Sequence, residues 1–344
     1  MARTRSTHTI AFEAITQRGI GSDGPGMLLG VHAPLRDIAW QGAAGHFARG
    51  ARKRLRPDDG FRIASMSKVF TATLVMQLVQ RGQLALDARL PEFFPPDVVR
   101  QVHPRARNIT LAHLLSHTAG LWDFAMSRPW QRRLATEGAR FHAPDEILAW
   151  AIANGEPVGA PGERYHYSDT GYVLLGHVLQ RVTGKRYAAL CRQRILRPLG
   201  MDATWLEGHE PARSTLSHCY AGGLDGLTVH GSIDWAAGGH VSTLADLDRF
   251  LRGLFERGEL LDAGTLTRML VSVPADAHRY GLGVSIRRVV PTGGGDAEAL
   301  WGHGGFWGSG MFYLPARRAT IVAMVNRTGQ DNAWILEDAV AAIA

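Results

Sequence analysis

Residues 65–68 read Ser-Met-Ser-Lys and stand at the head of an apolar run. A helix starting there turns Ser65 and Lys68 to one face, because residues three apart are neighbours on an α-helix. A serine at a helix N-terminus sits among unpaired backbone N–H groups, and the helix dipole favours negative charge developing beside it. An amine or ammonium one turn on lowers the hydroxyl's pKa or takes its proton. Ser67 points elsewhere on the helix and is the poorer nucleophile. Alone, Ser-x-x-Lys equally describes a capping serine beside a surface lysine. Lysine is scarce here, though: Lys53, Lys68 and Lys185 stand among 38 basic residues, which singles out Lys68.

Two further segments carry polar groups with reactive potential. In Pro161-Gly-Glu-Arg-Tyr-His-Tyr167-Ser168-Asp169 a loop leads into a helix at Tyr172. The Tyr167 phenol can project into a cleft there, and beside a lysine it serves as a general base if its pKa is lowered. The plainer reading is a buried tyrosine with a satisfied hydroxyl. In Trp301-Gly302-His303-Gly304-Gly305-Phe306-Trp307-Gly308, dense glycine beside a strand lets another backbone come close, and His303 points into that space. The plainer reading is a glycine-rich turn with a histidine on its rim. His113 and His117 have the i, i+4 spacing of a zinc helix but lack the glutamate of H-E-x-x-H, so no metal is expected. His303-Gly304-Gly305 is also similar to a lipase oxyanion loop, but the G-x-S-x-G elbow of that fold is absent. Trp122, Phe124 and Trp130 belong either to the core or, with Phe306 and Trp307, to an aromatic substrate pocket.

The elements that must position these groups follow from periodicity and punctuation. Gly26–Val31 and Arg36–Trp40 read as strands, and Asp58-Asp59-Gly60 as a turn. Ser65–Arg81 reads as a helix with Val69, Ala72, Met76 and Val79 on one face, ending at Gly82. The middle is mainly helical: Thr110–His117 with Thr110 as N-cap, Asp145–Asn154, Tyr172–Val182 closed by Gly184, and Tyr187–Leu196. Thr243-Leu-Ala-Asp246 opens another helix. Tyr280–Arg288, Gly308–Leu314 and Thr320–Asn326 read as strands, and Trp334–Ile343 as a last amphipathic helix. Strands at both ends with helices between predict an α/β (α+β) fold. One antiparallel sheet is built from both chain ends and flanked by helices, with a mainly helical domain inserted. The expected division is 1–85 with 236–344 as the sheet domain and 86–235 as the insertion, the site lying in the cleft between.

Together the three segments resemble the signatures of the penicillin-recognising serine hydrolases, in particular the class C β-lactamase-like family. That family includes class C β-lactamases, D-alanyl-D-alanine carboxypeptidases, D-aminopeptidases and esterases. Its motifs are S-x-x-K, Y-x-N and K-T-G or H-x-G, in that order. Here they stand as Ser65–Lys68, Tyr167–Asp169 and His303–Gly305. The stretches Phe61–Lys68, Ile109–Leu121 and Gly238–Thr243 look like the family as well, and the resemblance spans roughly residues 25 to 340.

The resemblance implies a β-lactamase/transpeptidase-like fold with Ser65 as the acylated nucleophile. Lys68 and Tyr167 share proton transfer, and the amides of Ser65 and Phe306 form the oxyanion hole. His303, Gly304, Gly305, Asp169, Trp122 and Trp307 are expected to face the substrate, with no metal and no organic cofactor. Two departures matter. Asp169 replaces the usual Asn, so it cannot donate to a substrate amide when ionised, and it can pair with Lys68. His303 replaces the usual Lys and is only partly charged near neutral pH, which favours a peptidase or esterase over a β-lactamase.

Composition narrows the partners. The chain has 344 residues, 45% hydrophobic and 20% charged, with a formal net charge of +7. This is the balance of a globular protein. The basic residues are scattered, with small clusters at 49–56 and 132–133, so no nucleic-acid face is expected. The N-terminus has Arg3 and Arg5 but no apolar core of a leader, and no run is long enough to span a membrane. Cys191 and Cys219 have neither metal nor framework spacing. The expectation is a cytoplasmic serine hydrolase acting on a small ester, amide or short peptide, in some cases next to a D-residue. The alternatives are an acyltransferase on the same serine, a weak β-lactamase, and a non-catalytic binding protein on the same fold.

Overall fold

The structure, a computed structural model, describes residues 6–20, 24–275, 278–329 and 332–343. Arg3 and Arg5 lie outside these residues. The main sheet has eight strands: β1 (Gly26–Ala33), β2 (Ile38–Gly45), β3 (Val273–Pro274), β4 (Arg279–Tyr280), β5 (Ser285–Val289), β6 (Glu298–Gly305), β7 (Ser309–Leu314) and β8 (Ala319–Met324). Their order is β2-β1-β8-β7-β6-β5-β4-β3, and every pairing is antiparallel. The first strand therefore lies beside the last, with Leu28 opposite Met324 and Leu29 opposite Ala323.

Alternation along these strands feeds two cores, since successive side chains point to opposite faces. Leu29, Ile321 and Ala323 pack with Phe12 of the N-terminal helix (Thr7–Ile20) and Val340 of the C-terminal helix (Ala333–Ala342). Leu28, Val322 and Met324 face the other way, onto the larger core with Val69 of the helix Ser67–Gln80 and Leu247 of the helix Leu244–Phe255. Both faces are covered, which explains why β1 and β8 are apolar almost without interruption.

The helices expected between the chain ends are present, with shifted edges. Asp169–Thr183 begins three residues early and ends at Gly184, whose φ of +65° suits glycine. Thr110 caps Leu111–Leu115 and Thr243 caps Leu244–Phe255, each through its hydroxyl. Tyr187–Cys191 continues as a single π-helical stretch, Arg192–Leu196. Helices at Thr7–Ile20, Arg128–Glu137 and Ala263–Leu270 were not anticipated.

Three strand expectations need correction. The second strand starts at Ile38 because Asp37 turns left-handed at φ +55° after a 3-10 turn. The expected strand Tyr280–Arg288 is a hairpin broken at Gly283 (φ +84°), where a Cβ would stand 2.2 Å from that of Ala72. The His303 segment, expected as a turn beside a strand, is itself the end of β6. Among the described residues no helix is long and apolar enough to cross a membrane.

Candidate active site

Ser65 sits in a 3-10 turn, Ala64–Met66, between the short strand Phe61–Arg62 and the helix Ser67–Gln80. Ala64 takes φ +46°, a left-handed conformation costly for a residue with a Cβ. That kink turns the chain sharply from strand to helix and leaves Ser65 half-buried at the mouth of a cavity. Ser67, by contrast, is wholly buried, and its hydroxyl accepts the His240 amide at 3.2 Å. The structure thus separates the two serines as the helical spacing predicted.

Lys68 is fully buried, and its ammonium has three neighbours. It donates to Ser65 Oγ at 3.0 Å and to the Ala237 carbonyl at 2.9 Å. It also lies 2.5 Å from Asp169 Oδ1, an ion pair set off the line of a good hydrogen bond. The contact anticipated from the Asn-to-Asp departure is therefore present.

Two more carboxylates stand nearby. Asp123 accepts the amides of Asp169 and Ala125. Burial first, and then the charge of Asp169, push it up to about 7. Asp234 lines the cavity and is pushed up to about 6, again by burial and then by Asp169. Carboxylates crowded at one ammonium cannot all ionise at their ordinary pKa.

The Tyr167 hydroxyl is hydrogen-bonded to Ser65, and its ring centroid lies 4.9 Å from the Lys68 ammonium. Burial, followed by the Asp169 charge, raises the phenol well above its ordinary value. The lowered pKa that a general-base tyrosine needs is not found, and Tyr167 rests as a neutral phenol.

His117 fixes this segment, a role the sequence did not signal. Its ring packs at a tilt against Tyr167, 4.3 Å between centroids, its Nδ1 accepts the Ser168 amide, and its carbonyl accepts the His166 amide. Burial, with Lys68 nearby, holds His117 neutral. His113 instead accepts the Thr110 amide in the helix cap. The i, i+4 pair is thus used for two separate structural tasks, and no metal-holding cluster occurs among the described residues.

Trp122 departs from expectation. Its indole donates to the Ala151 carbonyl and stacks on Trp150, away from the main cavity. Its carbonyl accepts the hydroxyls of Ser168 and Thr170, so it braces the tyrosine segment from behind. Phe124 is core, packed edge-on against Trp130. The aromatic lining comes from Trp130, Phe306 and Trp307, joined by Tyr165, Tyr280 and Phe312. Trp130 also belongs to the core, so both readings left open for it apply.

The third segment reaches the Ser65 turn by close backbone approach. A Cβ on Gly305 would lie 2.5 Å from the Ile63 carbonyl oxygen, so β6 can run against the nucleophile turn only with glycine there. Gly304 similarly leaves room for the Arg287 guanidinium, 3.4 Å from where its Cβ would be. His303 is neutral: burial, then Lys68, brings it down to about 3. Its Nε2 meets the Tyr280 hydroxyl at 2.9 Å, and its Nδ1 lies 2.6 Å from the Gly304 carbonyl. His303 can therefore orient Tyr280 but offers no positive charge to a substrate anion. Phe306 follows β6 with its side chain 45% exposed at the cavity rim, and Trp307 packs inward on Ala64 and Cys219.

These elements bring Ser65, Lys68 and Tyr167 together on an α/β sheet framework. The Beta-lactamase family model matches residues 14–344, and the chain belongs to that family. It is 29% identical to penicillin-binding protein 4 of Amycolatopsis lactamdurans over 293 residues, covering 79% of this chain and 72% of that protein. It is 33% identical to esterase EstB of Burkholderia gladioli over 182 residues, covering 52% of this chain and 46% of EstB. The D-amino acid amidase of Ochrobactrum anthropi SV3, solved with L-phenylalanine, superposes with a TM-score of 0.84. It is 27% identical and covers 98% of both chains. Within this family the chain is a serine hydrolase.

Proposed function

We propose that Ser65 is acylated by a small carboxylic ester or amide and that water then releases the acid. In acylation the Ser65 Oγ–acyl carbon bond forms and the acyl carbon–leaving-group bond breaks, and the serine proton ends on the departing alcohol or amine. The 3.0 Å contact between Lys68 Nζ and Ser65 Oγ in a buried site carries this reading.

Lys68 and Tyr167 divide the proton work. Tyr167, neutral at rest and bonded to Ser65, is placed to protonate the leaving group. Lys68 relays the proton: it takes the serine proton as it passes one of its own to Tyr167, which has given its proton to the leaving group. The net transfer is from Ser65 to the leaving group, and the pair with Asp169 is unchanged. The amides of Ser65 and Phe306 hold the oxyanion, brought together where Gly305 lets β6 meet the nucleophile turn. We read the chain as a sheet unit, 1–85 with 236–344, and a helical unit, 86–235, with this site in the cleft between them.

Among amides, those of D-amino acids are the class that the Ochrobactrum amidase suggests. The Asp169 and Asp234 carboxylates, which line the cavity beside Lys68, suit a substrate with a free ammonium. The test is intact mass after exposure to p-nitrophenyl esters and to D- and L-amino-acid anilides. A stoichiometric adduct in the native chain, lost in Ser65→Ala and kept in Ser67→Ala, is expected. An adduct that survives Ser65→Ala overturns the assignment.

A further inference from the structure

The cavity at Ser65 is far larger than the reacting groups require. Its volume is about 1110 Å³, and its lining divides by chemistry. On one side lie Tyr165, His278, Tyr280, Arg287 and His303, polar groups of the sheet edge and of the loop before Tyr167. On the other side the walls are largely apolar, with Gln131, Thr136, Thr228 and Asp234 as the polar residues among them. Trp130 and Leu134 project from the helix Arg128–Glu137, and Val229 and Ile233 from the segment facing it.

The mouth continues this character. Eight large apolar side chains are exposed among the described residues, and three of them, Met126, Leu224 and Phe306, line this one cavity. Exposed apolar groups gathered at one opening mark a binding surface.

The apolar wall is held in place. Arg62, three residues before the nucleophile, is buried and grips both oxygens of Glu207 at 2.7 Å. The same guanidinium donates to the carbonyls of Gly226 and Val229, at 2.5 and 2.7 Å. The wall around Val229 is thereby tied to the strand that delivers Ser65, and its distance from the nucleophile is fixed by a planar fork.

The direction of the substrate follows from the proton path. The leaving group takes its proton from Tyr167, and the Tyr167 ring faces His303 and the polar side, 6.3 Å between centroids. The group that stays on Ser65 therefore extends to the opposite, apolar side.

We propose that the arm of the cavity walled by Trp130, Leu134, Val229 and Ile233 is an acyl subsite, and that the substrates are esters or amides with a bulky apolar acyl group, of hexanoyl or 3-phenylpropanoyl size. This rests on the acyl-enzyme reading above. Each methylene taken from water into such an arm favours the reaction by roughly fourfold in kcat/KM.

The test compares p-nitrophenyl esters that share one leaving group and differ in the acyl chain: acetyl, butanoyl, hexanoyl and 3-phenylpropanoyl. A rise in kcat/KM of at least tenfold from acetyl to the two large groups is expected. Ala135, exposed and lining the same arm, supplies the variant: Ala135→Phe fills the arm and should cut the ratio of 3-phenylpropanoyl to acetyl at least fivefold. A flat native series overturns the proposal, as does a variant that lowers every ester by one factor. A companion series of acetyl esters with ethyl and hexyl alcohols checks the direction. A steep rise there with a flat acyl series assigns the arm to the leaving group and overturns it equally. Failure of any ester to leave a mass adduct on Ser65 refutes the acyl-enzyme reading instead, so the two failures are told apart.

Discussion

At the scale of single residues the unusual feature is Asp169. A carboxylate 2.5 Å from the Lys68 ammonium stabilises the charged amine. Asp169→Asn keeps the shape and removes that charge from beside Lys68 and Ser65. Acylation should persist while the pH dependence of kcat/KM changes. The new amide also donates to a substrate carbonyl, so amides should gain relative to simple esters. An unchanged profile and an unchanged ester-to-amide ratio would show that Asp169 does not govern the proton.

Asp123 gives a second residue-level prediction, for stability. Its carboxyl is pushed from an ordinary 3.8 to about 7 in the fold. Below about pH 4 it is neutral in both states. Between there and about 7 the unfolded chain ionises first, so its contribution to stability falls as pH rises, and above that window the loss is complete. Asp123→Asn can still accept the amides of Asp169 and Ala125. Its Tm should therefore exceed that of the native protein at pH 8 by more than at pH 5. Equal differences at both values would contradict the raised carboxyl.

At the scale of elements, the turn that presents Ser65 depends on partners distant in sequence. The buried fork of Arg62 joins Glu207 to two carbonyls of the cavity wall. Arg62→Met strands a mostly buried carboxylate and should cost about 3 kcal/mol in urea unfolding. Removing Glu207 as well, as Met, should recover part of that loss. If the double variant is no more stable than the single, the pair does not act as a unit.

Gly305→Ala places a methyl against the Ile63 carbonyl and should lower kcat/KM at least tenfold, with far-UV circular dichroism unchanged. This is the level at which the sequence was partly legible. Ser65, Lys68 and the cap at Thr110 are local, and short-range spacing exposed them. The ends of β1 and β8 were visible as apolar runs because both faces of the sheet are buried. Glycine density around His303 signalled a close approach but not that the segment was itself a strand, because Gly302, Gly304 and Gly305 carry no side-chain alternation. Tyr167 was found, but the direction of its pKa was not, since burial is a property of the whole site. Trp122 was assigned to the pocket because an aromatic in a loop looks the same whether it faces substrate or, as here, the Ala151 carbonyl.

At the scale of the molecule, the sheet makes the two ends of the chain interdependent. β1 lies between β2 and β8, and β8 lies between β1 and β7. The strand Trp205–Leu206 adds a second tie, since it pairs with His240–Ser242, which also pairs with the strand beside the nucleophile turn. Truncation after Leu314 removes β8 and the C-terminal helix. It strips β1 and β7 of their shared partner and uncovers Phe12, Leu29 and Ile335's neighbours on that face. A long apolar strand edge left open is a site for pairing with other chains. The truncated protein should therefore aggregate and fail to form the Ser65 adduct, although every reactive side chain named here lies before the cut. Adding a peptide of residues 315–344 during refolding should restore some soluble, acylated protein, because it supplies the missing central strand. Measured by size exclusion and intact mass, a truncated chain that stays monomeric and is acylated without the peptide would show that the nucleophile turn does not depend on the meeting of the two ends.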